Sequence, residues 1–590
     1  MNDSPKAGNG SRISADLSAK IPQNQSATVE NDSDPNLSIG ADSHAGRIAG
    51  ETVETVGTGT FTPAPSSKLI STGRSAFLVG AGILASRIVG LIRQRVFAHY
   101  FGTSAAGDAF SAAFRIPNFL QNVFGEGALS ASFIPVYAKL LARDEDEASH
   151  VASAILAMLA LVTSTIVVGG VLIAPYLVSI TGFEGETREL TVRLIKIFFP
   201  GAGLLVLSAW CLGVLNSHHK FFLSYTAPVA WNLAIITALI LFGGRVGQFQ
   251  LAEFVAWGSV IGSALQFAVQ LPTVLTVIHR LRPVVDLANA HVRTVMRNFI
   301  PVFTSRGVVQ ISAFVDTIIA SFLPAGAVVA LSYAQSLYTL PVSLFGMSVS
   351  AAELPAMSRT LGTVEEVAAA LRQRLDAGLR RIAFFIVPSS MAFLVFGDVI
   401  AAVLYQTGEF RQDAVLYVWG ILAGSTVGLL ASTLGRLYSS TYYALHDTRT
   451  PLRYAIVHVV LATVLGYFAA IHLPPALGID PKWGVTGLTV SAGIAGWIEF
   501  GLLRHTLNKR IGTTGLPTRL LAILWLGAAV GAIIGWGLKL MVGILHPVPM
   551  ALLVLGSYGL TYFGVTSALG VNQARQITDR AFKMLKFWRS

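Results

Sequence analysis

From Ala76 to about residue 571 the chain is a succession of about fourteen apolar stretches, each roughly 20 residues long and separated by short polar joins. No water reaches backbone N–H and C=O groups inside a bilayer, so such a stretch must satisfy its own hydrogen bonds, as a helix does. Only 12% of the 590 residues are charged, where soluble domains carry about 25%. The expected class is therefore an all-α polytopic membrane protein. Prolines in or near the spans (Pro117, Pro200, Pro228, Pro301, Pro341, Pro388) are tolerable where neighbours satisfy the freed backbone groups. A single cysteine, Cys211, excludes an internal disulfide framework.

The formal net charge of +11 would suit nucleic acid in a soluble protein, but here it follows the joins. Alternate joins carry Lys139 and Arg143, Lys220, Arg280 with Arg282, Arg293 and Arg297, Arg359 through Arg381, Arg449 with Arg453, and Arg504 through Arg519. The intervening ones carry little, such as Arg245, Arg411 or Lys482, with Arg188, Arg193 and Lys196 as the exception. This alternation places both termini in the cytoplasm and requires an even number of spans. No nucleic acid partner is expected.

The expected domains are a disordered tail over 1–66, a first six-span lobe over 67–284, a second over 285–512, two further spans over 513–571, and a basic amphipathic tail over 572–590. A weak repeat supports the two lobes: Phe124-Gly125, Ser130-Ala131 and Pro135 recur as Phe345-Gly346, Ser350-Ala351 and Pro355. Repeated halves suit a transporter that rocks one lobe against the other about a midplane site.

Charges inside the spans mark that site. Arg87 and Arg93 sit within the first apolar stretch, where a charge costs roughly 2.5–3.5 kcal/mol and must face protein or a wet cavity. Six residues separate them, about 9 Å of rise and about 120° of rotation, so they can line a wide cavity from different depths. Guanidinium suits bidentate phosphate binding; the alternatives are a structural pair for Arg87 and an interfacial position for Arg93. Asp108 is either a gate or a helix cap. Glu126, between Gly125 and Gly127, sits where glycines invite unwinding, and irregular backbone at membrane depth lines cavities. In the seventh span Arg306 and Asp316 lie about 15 Å apart along a helix and cannot pair, which leaves each a structural partner elsewhere or an ion or charge-coupling role. No metal-ligand spacing, phosphate loop or nucleophile triad is present, so no cofactor, metal or catalytic residue is expected.

The motifs Ser86-Arg87-x-x-Gly90-x-x-Arg93, Phe101-Gly102, Asp108-Ala109-Phe110, Phe114-Arg115-Ile116-Pro117-Asn118 and Glu126-Gly127-Ala128 resemble the N-terminal signature of the MurJ/MviN family. Weaker similarity continues through Leu215-Asn216-Ser217-His218 and Asp447-Thr448-Arg449-Thr450-Pro451. The resemblance implies a lipid II flippase of the MOP exporter superfamily in the bacterial inner membrane, with a MATE-like fold of two six-helix lobes plus two C-terminal helices. It implies a peptidoglycan precursor as substrate, membrane lipids and cell-wall synthesis machinery as partners, alternating access as mechanism, and no enzymatic step. On that resemblance Arg87, Arg93, Ser86 and Glu126 would bind substrate, and Asp108, Asn118, Gly125 and Gly127 would form the gate or cavity wall.

Three positions depart from the family pattern. Gln94 replaces an acid, Gln121 an arginine, and Gln335-Ser336 an Asp-Arg pair. A sodium site joining Asp316 to the eleventh span is not expected, because Tyr454 to Ile471 contains no Asp, Asn or Glu. The rival readings are an exporter of another polyprenyl-linked glycan, a multidrug or organic-cation antiporter, and a non-transporting scaffold. An organic-cation site would expose carboxylates and aromatics rather than arginines.

Overall fold

A computed structural model describes residues 67–576, apart from 125–128, 130–131, 279–280, 283, 361 and 544–545. The tail expected over 1–66 lies outside the described residues. So does most of the expected basic C-terminal helix, of which residues 572–576 are helical.

Fourteen long helices follow in order: α1 Ser67–Phe101, α2 Ala105–Phe124, α3 Glu145–Ser179, α4 Gly185–Ser217, α5 Phe221–Phe242, α6 Gln248–Val277 and α7 Ala290–Ser321, then α8 Ala327–Ser358, α9 Val364–Tyr405, α10 Gln412–Ala444, α11 Arg449–Ala476, α12 Pro481–Ile511, α13 Thr518–Val542 and α14 Pro547–Ala568. Eleven are long and apolar enough to cross a membrane by length and composition. The other three, α1, α2 and α7, carry the arginines and aspartates singled out above. A short helix, Ile134–Leu141, opens at Pro135 and leads into α3.

The first six helices and the next six pack by one scheme. In the first lobe α1 lies on α5, α2 on α4, α3 on α4, α4 on α6 and α5 on α6. In the second α7 lies on α11, α8 on α10, α9 on α10, α10 on α12 and α11 on α12. Each pairing is the other shifted by six helices, so the two halves repeat one packing scheme. Helices α13 and α14 pack on each other and on α9, where the ammonium of Lys539 pairs with Asp398 and lies over Trp536. After Pro341, which donates no backbone N–H, α8 widens into a π turn over Val342–Met347 before regaining α geometry.

The joins at one end of the bundle hold most of the basic residues, and α1 leaves from that end. At the opposite end, Arg193, part of the exception in the charge pattern, pairs with Glu253 of α6 at 3.0 Å. The linker between the lobes is tied to the start of α3. His150 meets Asp286 at 2.9 Å and Asn289 donates to Glu147 at 2.8 Å, and the histidine's hydrogen bond holds the Asp286 carboxyl below its ordinary range.

Helices α10 and α12 approach backbone to backbone: a Cβ on Gly428 would lie 2.5 Å from the Cα of Gly493. Gly428→Ala is expected to lower thermal stability by about 1–3 kcal/mol through overpacking. Gly435→Ala on the same helix, where the nearest atom is 4.0 Å away, should leave the melting curve unchanged or slightly raised. Equal melting temperatures for the two variants would contradict the close contact.

Candidate functional site

Between the lobes lies a cavity of about 870 Å³, walled by α1, α2 and α5 on one side and α7 and α8 on the other. Arg87, Arg93 and Arg115 all line it, and among its described lining residues there is no Asp or Glu. Arg87 is exposed to the cavity and, among the described residues, donates to Ser343, in the π turn of α8, at 3.5 Å. Arg93 lies with its guanidinium carbon 5.4 Å from the ring centre of Phe114 and 5.1 Å from that of Trp231. Those two rings stack at 5.6 Å with planes 11° apart. Cation–π attraction thus holds Arg93 in place without occupying its N–H groups, and its buried Nη1 has no hydrogen-bond partner. Arg115 joins the lobes: it donates to the Ala313 carbonyl of α7 at 3.0 Å and to Gln335 of α8 at 2.7 Å.

The end of the cavity away from the basic joins is sealed. The buried Asp108 carboxylate accepts from the backbone N–H of Gly326 at 2.6 Å and of Val329 at 2.8 Å. It therefore caps the first turn of α8, a helix of the opposite lobe. Gly326 adopts φ +95°, and a Cβ there would fall 2.5 Å from the Thr103 carbonyl oxygen, so both the turn and the close approach require glycine. Around this cap Tyr333 donates to the Gly102 carbonyl at 3.2 Å, the Glu409 N–H to the His99 carbonyl at 2.8 Å, and Arg95 to the carbonyls of Val403 and Leu404 at 2.7 and 3.0 Å. Phe97, Phe101, Phe110, Tyr333, Tyr405 and Phe410 fill the layer beneath, their neighbouring ring centres 4.5 to 6.4 Å apart.

Two of the departures, Gln94 and Gln335-Ser336, come together beside this seal, and Gln121 does not line the cavity. Gln94 donates to Ser336 at 2.7 Å and accepts from Tyr405 at 3.1 Å; its neighbour Gln335 is the residue that holds Arg115. In this chain the two positions pair as an amide and a hydroxyl, with no charge on either.

Ser86 is not among the lining residues. Gly125, Glu126 and Gly127 lie outside the described residues, as do the side chains of Asn118 and Arg306. Asp316 lies in α7 and interacts electrostatically with Arg115 and with His458. In the sequence Arg115 reads only as one of the charges of a second segment able to wall a polar cavity, with no role of its own, and neither Gln335 nor Trp231 is assigned to the site. Arg115 alone carried a usable signal, as a charge in an apolar stretch. Beyond Phe314, which lines both, an apolar groove of about 530 Å³ runs between α2, α3, α4 and α7. Phe119 packs edge-on against Phe314 at 5.9 Å between the two compartments. Among the described residues no three His, Cys, Asp or Glu side chains converge as a metal site.

Comparison with known proteins agrees with the family resemblance. The profile of the family described as lipid II flippase MurJ matches residues 97–555. A probable lipid II flippase MurJ of Rhizobium tropici is 32% identical over 77% of this chain and 85% of its own length. The lipid II flippase MurJ of Burkholderia cenocepacia is 31% identical over 74% and 84%. Among solved structures, a lipid II flippase MurJ in an inward closed conformation superposes with a TM-score of 0.69 at 24% identity, covering 84% of this chain and 98% of that one. An inward-facing MATE transporter of the MOP superfamily gives 0.57 at 17% identity, covering 73% and 96%. These structural likenesses speak for the fold.

Asp108→Asn removes one of two charge-assisted acceptors at the seal, each worth about 1.5–3 kcal/mol. Labelling of a Ser111→Cys reporter in the cavity by a water-soluble thiol reagent is expected to rise roughly tenfold. The native Cys211 is buried and contributes little background. Unchanged labelling would show that the seal does not depend on the cap.

Proposed function

This chain belongs to the lipid II flippase MurJ family, and from that premise we propose that it carries a polyprenyl-pyrophosphate-linked peptidoglycan precursor across the bacterial inner membrane by alternating access. The observation that carries this reading is the cavity wall: among the described residues it presents three guanidinium groups and no carboxylate, and the buried Nη1 of Arg93 has no hydrogen-bond partner there. Planar guanidinium forks match phosphate oxygens in pairs. An organic cation would meet three positive charges, which speaks against a cation antiporter. The apolar groove beyond Phe314 suits an amphiphile, whose charged head occupies the polar chamber while its hydrocarbon chain stays in apolar surroundings.

The basic end of the bundle faces the cytoplasm in this reading, with both termini inside, and the sealed end faces outward. The lobe contacts described above then belong to the conformation that is closed to the outside. Arg87, Arg93 and Arg115 receive the pyrophosphate from the inner leaflet. The seal at Asp108 opens as the lobes rock, and the head group leaves on the outer side. Recognition is by charge and shape, and no bond is made or broken.

The test is rescue of a strain depleted of its own lipid II flippase, run beside melting curves. The wild-type chain is expected to rescue growth. Arg87→Ala should lose transport roughly hundredfold, equivalent to about 2.7 kcal/mol of phosphate binding, with its melting temperature unchanged because Arg87 has only one long contact. Arg93→Lys should fail in the same assay, since lysine keeps the charge but loses the planar stack on Phe114 and Trp231. Failure of the wild type to rescue would favour another glycolipid or a scaffold. Full rescue by both variants would remove the phosphate-binding role.

A further inference from the structure

The apolar groove beside the chamber takes its walls from both lobes, α2, α3 and α4 of the first and α7 of the second. It lies toward the sealed end. On α2 it begins at Ala112, in the half of that helix nearer Ala105, and on α7 it extends to Ile318, close to the helix end at Ser321. Just past Thr181 of its wall, the Gly182 N–H donates to Ser321 at 2.9 Å. A Cβ on Gly182 would fall 2.7 Å from the Cα of Phe322, so the two lobes touch backbone to backbone at that end of the groove.

The lining selects hydrocarbon. Apart from Thr181, Thr191 and Thr317, its described residues are glycine, alanine, aliphatic or aromatic. Each of the three hydroxyls donates to a nearby backbone carbonyl: Thr181 to Val178 at 2.7 Å, Thr191 to Thr187 at 2.7 Å and Thr317 to Ala313 at 3.0 Å. Neither a head group nor an ordered water is offered a donor here. Glycine is a poor residue for a helix interior, yet α3 carries Gly169 and Gly170 side by side on this wall. A Cβ on Gly170 would strike the Phe199 ring at 2.1 Å, so that glycine serves packing. A Cβ on Gly169 would meet nothing within 4 Å, so that glycine keeps space open.

Continuity with the chamber identifies the occupant. Phe314 lines both compartments, and it follows Ala313, whose carbonyl Arg115 holds at 3.0 Å. The edge-on pair of Phe119 and Phe314, with planes 88° apart, stands at the junction. A bilayer phospholipid has no use for the chamber, whereas a pyrophosphate with a long chain attached needs both compartments at this point. We propose that the groove takes the isoprenoid chain of the lipid-linked substrate, which passes between Phe119 and Phe314 while its pyrophosphate is on the arginines. This rests on the flippase reading above. The chain then reaches the outer half of the membrane before the head group crosses. Both lobes wall the groove, so the rocking that opens the seal also widens it and lets the chain out into the outer leaflet.

The experiment uses the full chain in nanodiscs with two probes, a long-chain polyprenyl pyrophosphate and farnesyl pyrophosphate, which share a head group and differ in chain length. Gly169→Phe fills the groove from α3 and Ile318→Trp narrows it from α7, each checked by its melting curve. Both variants are expected to weaken binding of the long-chain probe roughly tenfold and to leave binding of farnesyl pyrophosphate unchanged. Arg87→Ala should weaken both probes alike. In the wild type, a phospholipid carrying a photoreactive group at its acyl end should lose its crosslinks to Leu177 and Ile318 when excess long-chain polyprenyl pyrophosphate is added. Long-chain binding that both groove variants leave intact would overturn the proposal, and the Arg87→Ala result would then still support the chamber reading. Equal weakening of both probes by the groove variants, or phospholipid crosslinks that the polyprenyl compound does not displace, would also overturn it, the latter in favour of bilayer lipid. Should both groove variants fail to fold, the crosslinking decides. A wild type that binds neither probe would sink the flippase reading and this one together.

Discussion

The closed end of the molecule depends on how α8 begins. A helix start presents backbone N–H groups with no partner in their own helix, and here that start is buried at the interface between two lobes. Asp108, from a helix more than two hundred residues earlier in the chain, supplies both oxygens to it. Neither side is satisfied without the other. A carboxylate pulled from the N–H groups would be a buried charge without partners, and the helix start would lose its acceptors. Closure is therefore stabilised by each lobe completing the hydrogen bonding of the other, and opening requires water to take over both roles at once. The aromatic layer beneath, with Tyr333 at its centre, excludes that water while the lobes are together.

The membrane class was readable from sequence because apolar length and the demand for backbone hydrogen bonds leave few choices. Arg87 and Arg93 were readable because each interrupts an apolar stretch. What could not be read was contact across the chain. Gln94 and Ser336 each looked like a separate loss of charge, and only their 2.7 Å hydrogen bond shows that one departure answers the other. Trp231 was one aromatic among many until its ring was found stacked on Phe114 beneath Arg93. His458 carried no signal as a lone histidine in an apolar span, since its meaning comes from Glu499 on the next helix. The glycine-flanked Glu126, prominent in the sequence, lies outside the described residues.

The two halves share a packing scheme but divide the labour. Among the described residues, the first lobe contributes the lining arginines Arg87, Arg93 and Arg115, on α1 and α2. The second contributes neutral hydrogen-bonding groups, Gln310, Gln335, Ser336 and Ser343, that face them. The second lobe also holds His458 of α11 within 2.9 Å of Glu499 of α12, apart from the chamber. Such a division sets the cations on one lobe against neutral hydrogen-bonding groups on the other, with Arg115 reaching across to Gln335 and the Ala313 carbonyl.

The neutral character of residue 94 has a consequence for the chamber as a whole. An acid there would stand next to Arg93 and serve as a built-in counter-ion. With glutamine in its place, Arg93 has no acid beside it on its own helix, and the positive field it shares with Arg87 must be balanced by mobile anions from solution whenever the chamber is open. A pyrophosphate arriving in it therefore exchanges with small anions rather than adding to an uncharged site. That exchange returns translational entropy to the solvent, and it makes capture of the head group sensitive to the chloride concentration on the loading side.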